Sequence, residues 1–203
     1  MFQPIVRIAD GYVVGYEALA RFPGGPVERS PQEWFVLAQS CGLRVDLEVA
    51  CWKAIAAQGP PPGDAMLFVN TSPVALVDHR LNAVRSELPE RLVVELTEQD
   101  AVHDYELLRS KLQSWSNDGV RLAIDDTGAG YSSLQHVLQL APDFLKLDRS
   151  MIAGVDRERS RRVLVRSLVA FAREVGAVVV AECVERPEEL EVLAEAGVAL
   201  AQG

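Results

Sequence analysis

Two adjacent carboxylates, Asp125 and Asp126, follow the apolar run LAI at residues 122–124. A turn rich in glycine comes next, at residues 128–130, and the segment YSSL then begins a predicted helix. Neighbouring carboxylates repel each other, and burying either one without compensation is costly, so they need a cation or several hydrogen-bond donors nearby. Hard divalent cations prefer such oxygen ligands. The pair therefore indicates a cation site that other oxygen ligands of the chain should complete.

Further polar residues recur at one kind of position, directly after or at the end of a short apolar run. The set is Glu17, Asn70, Glu95, Asp125, Lys146, Glu182 and Gln202. A single carboxylate at a strand end is usually a helix cap or a surface charge, and Asn70 before Thr-Ser-Pro could simply cap the next helix. Repetition over six or seven strands favours a shared site instead.

The elements that must position these residues alternate between short apolar runs and longer helical patterns. Eight runs read as strands, with the sequences FQPIVRI, YVVGYEALAR, MLFVN, LVVEL, RLAID, DFLKL, AVVVA and VALAQ. Almost uniformly apolar strands separated by helices predict a mostly parallel sheet that is buried on both faces. Eight such units favour an α/β fold of the TIM-like (β/α)8 barrel type over an open sheet. The first two strands are joined by a tight turn at Asp10-Gly11, so we expect an irregular first strand pair.

Helix signals support one domain over residues 1–203. Ser30 is a predicted N-cap, with Pro31 at the first helical position and Glu33 at the third. The run GPPPG at residues 59–63 is predicted to be a loop inside the domain, because the same alternation resumes at once. Helical spacing also places apolar residues together on one side of each of two predicted helices. These sides carry Leu47, Cys51 and Ile55 in helix 45–58, and Leu164, Leu168, Phe171 and Val175 in helix 159–175.

The carboxyl ends of barrel strands converge on one face, so residues far apart in the sequence should meet in one cup. The cup offers these oxygen ligands: Glu17, Asn70, Glu95, Asp125, Asp126, Glu182 and Glu185. Their negative charges need cations, and the number of ligands suffices for two Mg²⁺ or Mn²⁺ ions, the usual device for phosphoester cleavage. Lys146 can orient water or offset charge in the transition state, and Arg21 could hold a phosphate bidentately.

Composition excludes several other classes of protein. The chain has 203 residues, a formal net charge of −9 and a sequence pI near 4.9, which is the opposite of a surface that grips long nucleic acid. Its hydrophobic content is 49%, and no apolar run is long enough to span a bilayer. The N-terminus lacks the pattern of a signal peptide, and the three cysteines suggest neither disulfides nor a zinc knuckle. We expect a cytoplasmic protein.

At these residues the chain resembles the EAL domain family of bacterial cyclic di-GMP phosphodiesterases. Glu17-Ala18-Leu19 is the naming motif, and Arg21 extends it. Six further motifs follow in the order of the family. They are FVNTSP at 68–73, ELTE at 95–98, DD with GAGYSSL at 125–134, KLD at 146–148, AECVE at 181–185 and QG at 202–203. The similarity covers the whole chain.

The resemblance implies a role for each matching residue. Glu17, Asn70, Glu95 and Asp125 would bind one metal ion, and Asp126 and Glu182 would bind a second one that shares Asp125. Lys146 would contact the nucleophilic water, and Glu185 would support the metal site. Arg21, Gln202 and Asp148 would serve substrate binding. Glu98 would brace the loop that contains Thr127, Gly128, Gly130 and Tyr131, and in the family this loop also contributes to a dimer interface.

The implied reaction is hydrolysis of cyclic di-GMP to linear pGpG with two Mg²⁺ or Mn²⁺ ions. The implied partners are a second copy of the chain and sensory or GGDEF domains outside these 203 residues. The alternative function is that of a catalytically silent cyclic di-GMP receptor or a regulatory interaction module. A further alternative is a metal-dependent phosphodiesterase for another small phosphoester.

Departures from the family pattern lie mostly in the loop after the paired aspartates. Thr127 stands where phenylalanine is usual, so we expect the loop to be held less firmly. Ala129 replaces a commoner threonine, and Cys183 replaces a common glycine, both of which are mild changes. The family usually continues beyond Gly203 with a strand end and a helix, so a truncated C-terminal end is the alternative to a complete domain.

Overall fold

The computed structural model describes residues 1–22, 29–96, 102, 104–127 and 131–203, and for residues 131–133 it describes the backbone. Within these ranges eight strands form one sheet. They are β1 (Phe2–Arg7), β2 (Val13–Ala18), β3 (Met66–Asn70), β4 (Leu92–Leu96), β5 (Arg121–Ile124), β6 (Phe144–Leu147), β7 (Val178–Ala181) and β8 (Leu200–Ala201). All eight correspond to predicted strands.

The sheet closes into a barrel in the order β1 to β8, which confirms the TIM-like prediction. Strands β2 to β8 run parallel to one another. Strand β1 is antiparallel to both β2 and β8, and Val6 opposite Ala201 closes the ring. The irregular first pair arises because a turn rather than a helix joins β1 to β2, and a hairpin must reverse the chain direction.

The described residues form nine helices around the barrel. They are α1 (Pro31–Ser40), α2 (Arg44–Ala56), α3 (Pro73–Leu76), α4 (His79–Arg85), α5 (Tyr105–Ser116), α6 (Tyr131–Leu140), α7 (Arg149–Ile152), α8 (Arg159–Glu174) and α9 (Pro187–Ala196). The predicted capping box of α1 is present, since the Ser30 side chain accepts from the Glu33 backbone and the Glu33 carboxylate accepts from the Ser30 backbone. No helix of the described residues is long and apolar enough to cross a membrane.

Two hydrophobic cores lie on the two faces of the closed sheet. The outer core packs strand residues such as Leu67 and Leu145 against the helices. The inner core fills the barrel and consists of Ile5, Phe68, Val93, Ala123, Phe144, Val180 and Leu200. Gly15 makes room for it, because a Cβ atom there would lie 2.7 Å from the Phe68 ring. Alternate residues of each strand therefore point into the barrel, as the twofold period of a strand requires.

In two helices the buried side overlaps only in part with the apolar side that the spacing gives. Helix α2 buries Glu48, Val49 and Trp52, whereas the predicted side carrying Cys51 is only partly buried. Helix α8 buries Val165, Leu168, Val169 and Ala172, so its inner side is rotated by about one residue. Leu164 and Val175, which were predicted on that side, are exposed. The spacing alone was ambiguous because apolar residues occur on more than one side of both helices.

Candidate active site

Six polar residues at the strand ends reach the barrel interior because each lies two positions after a residue of the inner core, and Glu17 follows Gly15 at the same spacing. Phe68 is followed by Asn70, Val93 by Glu95, and the same spacing holds on four further strands. The pairs there are Ala123 with Asp125, Phe144 with Lys146, Val180 with Glu182, and Leu200 with Gln202. The parallel strands place all these ends at one mouth of the barrel. The inner core thus forms the floor of a polar cup at this mouth.

Lys146 is the centre of the cup. Its side chain is 1% exposed, and its Nζ lies among four carboxylates. The Nζ–oxygen distances are 2.5 Å to Glu182, 2.7 Å to Glu95, 3.2 Å to Glu17 and 3.5 Å to Asp125. Four carboxylates surround one ammonium group, so the cluster keeps an excess of negative charge that further cations would balance.

Two amides connect the carboxylates of the cup. The Asn70 Nδ2 atom donates to Glu17 Oε1 at 2.9 Å and to Glu95 Oε2 at 3.3 Å. The Gln202 Nε2 atom donates to Glu17 Oε2 at 2.7 Å. Glu17 is thus held from three directions, by Asn70, Gln202 and Lys146, although these residues are up to 185 positions away in the sequence. Contacts within the protein therefore fix the position of Glu17 in the cup.

Burial and charge give the carboxylates different proton affinities. Burial raises the pKa of Glu95 well above its usual value. The charge of Lys146 acts to lower this pKa, whereas the negative charges of Glu17 and Asp125 raise it further. Burial likewise raises the pKa of Glu182 to about 7, again opposed by Lys146. Burial acts on Glu17 in the same sense, but Lys146 and the two amides outweigh it and lower its pKa. The charged form of Glu17 is therefore the favoured one.

The pKa of Lys146 is the counterpart of this pattern. Burial acts to lower it, but the surrounding carboxylates, with Glu95 first, raise it well above the usual value. The ammonium form of Lys146 is therefore the favoured one. It can donate hydrogen bonds and stabilise negative charge that develops next to it.

The donor set fits divalent cations of the Mg²⁺ or Mn²⁺ type. Asp125, Asp126 and Glu182 each offer a carboxylate oxygen, and these atoms lie within 4.8 Å of one another. The Oδ1 atom of Asp125 is buried and accepts no hydrogen bond from the described residues. An oxygen that is buried in this way beside other carboxylates is an available ligand for a hard cation. Glu17, Asn70 and Glu95, which contact one another or Lys146 in the same cup, add further oxygens.

The backbone turns sharply after two of these ligands. Asp126, which follows Asp125, has a φ of 53°, and Cys183, which follows Glu182, has a φ of 52°. Both values lie in the left-handed region, which aspartate tolerates better than most residues. Cys183 takes this conformation at a cost of about 1–2 kcal/mol, which explains why glycine suits the position.

Three predicted site residues lie outside the carboxylate cluster. The Arg21 guanidinium donates to the carbonyl of Ala20, and Arg21 lines a cavity beside the cup. Asp148 is the N-cap of α7 and accepts from the backbone and hydroxyl of Ser150. Glu185 is exposed and pairs with Arg149 at 3.1 Å. Their roles in substrate and metal binding stay predictions.

The loop after the paired aspartates is described only in part. Thr127 is fully buried, its backbone N–H donates to the Lys146 carbonyl, and its hydroxyl donates to the Ile124 carbonyl. Thr127 itself is therefore firmly anchored. Glu98, Gly128 and Gly130 lie outside the described residues, and Tyr131 is described only as the first residue of α6. The predicted looseness of the loop stays a prediction.

Helix α2 contributes two contacts that support the cup and that the sequence did not predict. The Glu48 carboxylate, 3% exposed, accepts from the Ser72 backbone at 2.8 Å and pairs with Arg44 at 2.5 Å. The Trp52 indole donates to the Asn70 carbonyl at 3.5 Å. Both contacts hold the chain at the end of β3, where Asn70 enters the cup. The sequence carried no signal for them, because a glutamate on a helix is usually exposed.

An open cavity of about 920 Å³ adjoins the cup on the side of α1 and α2. Asn70 and Asp126 line its polar edge, Phe35 and Trp52 line its apolar side, and Arg21 adds a cation. This size and mixed lining suit a ligand of nucleotide type, which needs both apolar surface and a few oriented polar groups.

A family model described as the EAL domain matches residues 1–203. The chain belongs to the EAL domain family. Among curated proteins, this EAL domain is 32% identical over 217 residues to the bifunctional diguanylate cyclase/cyclic di-GMP phosphodiesterase MucR of Pseudomonas aeruginosa. It is 30% identical over 218 residues to the probable cyclic di-GMP phosphodiesterase PdeG of Escherichia coli. Both alignments cover 100% of the chain but only 31% and 42% of those proteins.

Solved EAL structures have the same fold. The BlrP1 protein of Klebsiella pneumoniae, in a complex with calcium and cyclic di-GMP, is 32% identical and superposes with a TM-score of 0.84. That match covers 100% of this EAL domain and 53% of the BlrP1 chain. The MucR phosphodiesterase in a cyclic di-GMP complex is 29% identical, with a TM-score of 0.83, and 87% of its chain is covered. BlrP1 also has a complex with manganese and cyclic di-GMP.

Proposed function

We propose that this EAL domain hydrolyses one phosphodiester bond of cyclic di-GMP and releases linear pGpG. The observation that carries the proposal is the convergence of Glu17, Glu95, Asp125 and Glu182 on Lys146, with Asp126 beside them. A receptor that only binds nucleotide has no need of so costly a concentration of buried charge. Solved relatives that hold cyclic di-GMP with calcium or manganese support the substrate and the metal class.

Two divalent ions, Mg²⁺ or Mn²⁺, would supply Lewis-acid activation of the phosphoryl group and of the attacking water. Glu17, Asn70, Glu95 and Asp125 would hold one of them, and Asp125, Asp126 and Glu182 the other, with Glu185 as support. Gln202 keeps Glu17 oriented through its hydrogen bond of 2.7 Å.

Lys146 acts on the reacting atoms through its ammonium group. One water adds to phosphorus and the 3′ oxygen leaves, so negative charge accumulates on the phosphoryl oxygens in the transition state. The ammonium group orients this water and stabilises that charge by hydrogen bonding. Its four carboxylate neighbours fix its position, so little reorganisation accompanies the reaction.

The 920 Å³ cavity would receive the substrate next to the cup. Arg21 would anchor a phosphate of the cyclic dinucleotide, and the partly exposed Phe35 ring would offer apolar surface to a guanine base. Asp148 would assist from the end of β6. We further propose a cytoplasmic homodimer, with Glu98 and the loop at 127–131 supporting the dimer contact, and with sensory or GGDEF domains in the same signalling protein.

The test is turnover of cyclic di-GMP to pGpG with Mg²⁺, Mn²⁺ and Ca²⁺ in parallel. Wild-type protein and Glu87→Gln, which alters an exposed glutamate, should turn over at rates within about twofold of each other. Glu17→Ala should lose activity by a factor on the order of 10² or more, because it removes a ligand and a partner of Lys146.

Two outcomes would overturn the proposal. Tight binding of cyclic di-GMP by a folded protein without turnover under any of the three metals would establish a silent receptor. Faster turnover of another small phosphodiester in a substrate panel would assign a different substrate.

A further inference from the structure

The opposite mouth of the barrel carries three arginines at inward positions of β1, β4 and β5. Arg91 and Arg121 precede Val93 and Ala123 of the inner core by two residues, so they point inward at the amino ends of β4 and β5. Arg7 follows Ile5 by two residues, and because β1 is antiparallel it reaches the same mouth. All three arginines line one cavity of about 460 Å³.

The arginines of this cavity have few anionic partners. The Arg91 guanidinium donates to the backbone carbonyl of Asp64 at 2.9 Å. The Arg121 guanidinium meets the sulfur of Met66 at 3.6 Å, and a thioether is a weak acceptor. In the part of the chain that the structure describes, neither of these two arginines has a carboxylate within ion-pair distance.

Arg7 is better compensated than its neighbours. It pairs with Asp10 at 3.0 Å, and its guanidinium stacks on the Tyr12 ring at 5.3 Å from the centroid. Asp64 is the one carboxylate among the described lining residues. The residues that line the cavity therefore carry a net positive charge, in a chain whose formal net charge is −9.

We propose that this cavity binds a small molecule through a phosphomonoester group. A guanidinium group presents several N–H donors in one plane, a geometry that matches the oxygens of a phosphate. A phosphomonoester carries about −1.5 to −2 charges at pH 7, which complements the positive lining. A volume of 460 Å³ accommodates a ligand somewhat larger than phosphate itself.

Calorimetric titration with inorganic phosphate tests the proposal, in the presence of Mg²⁺ so that the acidic mouth is in its working state. We expect saturable binding to the wild-type protein that weakens as sodium chloride is added. The variant Arg91→Gln/Arg121→Gln should lose at least about tenfold in affinity, because two charge-assisted donors are removed. Phosphate that metal ions hold at the other mouth contributes equally to the binding by wild type and by the double variant, so it does not affect the difference between them.

Arg161→Gln is the matched control, since Arg161 pairs with Glu158 on the exposed side of α8, outside the cavity. It should bind phosphate with an affinity within about twofold of wild type. Three results would overturn the proposal. They are equal phosphate affinity in wild type and the double variant, a loss of affinity in the control equal to that in the double variant, and acetate binding as tight as phosphate binding. The titration does not depend on hydrolytic activity, so it stands apart from the proposed function.

Discussion

The two mouths of the barrel differ in how they hold charge. At the carboxyl ends, Lys146 lies buried among carboxylates at 2.5–3.5 Å, and two amides join them. At the amino ends, Arg7, Arg91 and Arg121 are exposed, and their partners are a surface aspartate, a backbone carbonyl and a thioether. Strands β4 and β5 supply residues to both mouths, because each strand places alternate residues in the barrel.

Burial is the physical difference between the two mouths. A charge in the cup depends on its neighbours for solvation, so changing one residue alters the proton affinity of the others. A charge at the amino-end mouth keeps its water and is screened by salt. The cup is suited to chemistry, whereas the arginine mouth is suited to reversible binding.

The largest expected effect is the loss of the central ammonium group. Lys146→Met should lower the rate of cyclic di-GMP hydrolysis by a factor on the order of 10²–10³, because the transition state loses its fixed cation. Steady-state kinetics with Mg²⁺ measures it. Lys111→Met is the matched control, since Lys111 contacts Asn82 on the surface and should leave the rate within about twofold. A rate for Lys146→Met within tenfold of wild type would show that the two mouths differ less than proposed.

Divalent cations should stabilise the protein through the acidic mouth. At a concentration of 100 times its Kd, Mg²⁺ should add about 2.7 kcal/mol per ion bound only by the folded state, or roughly 5–10 °C in Tm. Thermal unfolding with Mg²⁺ and with EDTA measures the difference. Asp125→Asn should lose most of it, whereas Asp118→Asn, whose aspartate pairs with Arg85 on the surface, should retain it. Equal stabilisation of both variants would place the cation elsewhere.

A smaller effect concerns pH in the absence of metal. The pKa of Glu182 is raised to about 7 in the folded protein. At a pH below this value and above the usual glutamate pKa, Glu182 is therefore mostly protonated in the folded state and mostly ionised in the unfolded chain. Unfolding free energy should therefore increase by about 1 kcal/mol as pH falls from 7 to 6, and Glu95 acts in the same sense. Urea unfolding in EDTA measures the change.

Glu182→Gln should remove much of this increase, and Glu188→Gln, at an exposed position on α9, should not. Glu189 provides the opposite case, because hydrogen bonds from Gly154, Arg186 and Glu185 outweigh its burial and lower its pKa. Its contribution to stability is present above the usual glutamate pKa and is lost as pH falls through its lower folded value. A stability that decreases steadily from pH 7 to 6 would contradict the proposed charge crowding in the cup.

Much of the active site could be predicted because its residues follow a local rule. The apolar run before Asn70, Glu95 or Lys146 predicts a strand, and the twofold period then decides which side chains face inward. The resemblance to the EAL family supplied the roles of these residues. Neither source of information predicted Glu48, because a glutamate on a helix is usually exposed, and only the packing of α2 against the end of β3 shows that it is buried.

The sequence by itself determined the eight strands, the capping box at Ser30 and the polar residues at the strand ends, since each depends on spacing within a few residues. The tertiary structure decided the inward side of α8, the hydrogen bond from Gln202 to Glu17, and the arginine mouth formed by Arg7, Arg91 and Arg121. The last two depend on how the barrel closes, with antiparallel β1 between β8 and β2. Spacing predicts a closed barrel but not the pairing and register at its closure, because the strands that meet there are at opposite ends of the chain.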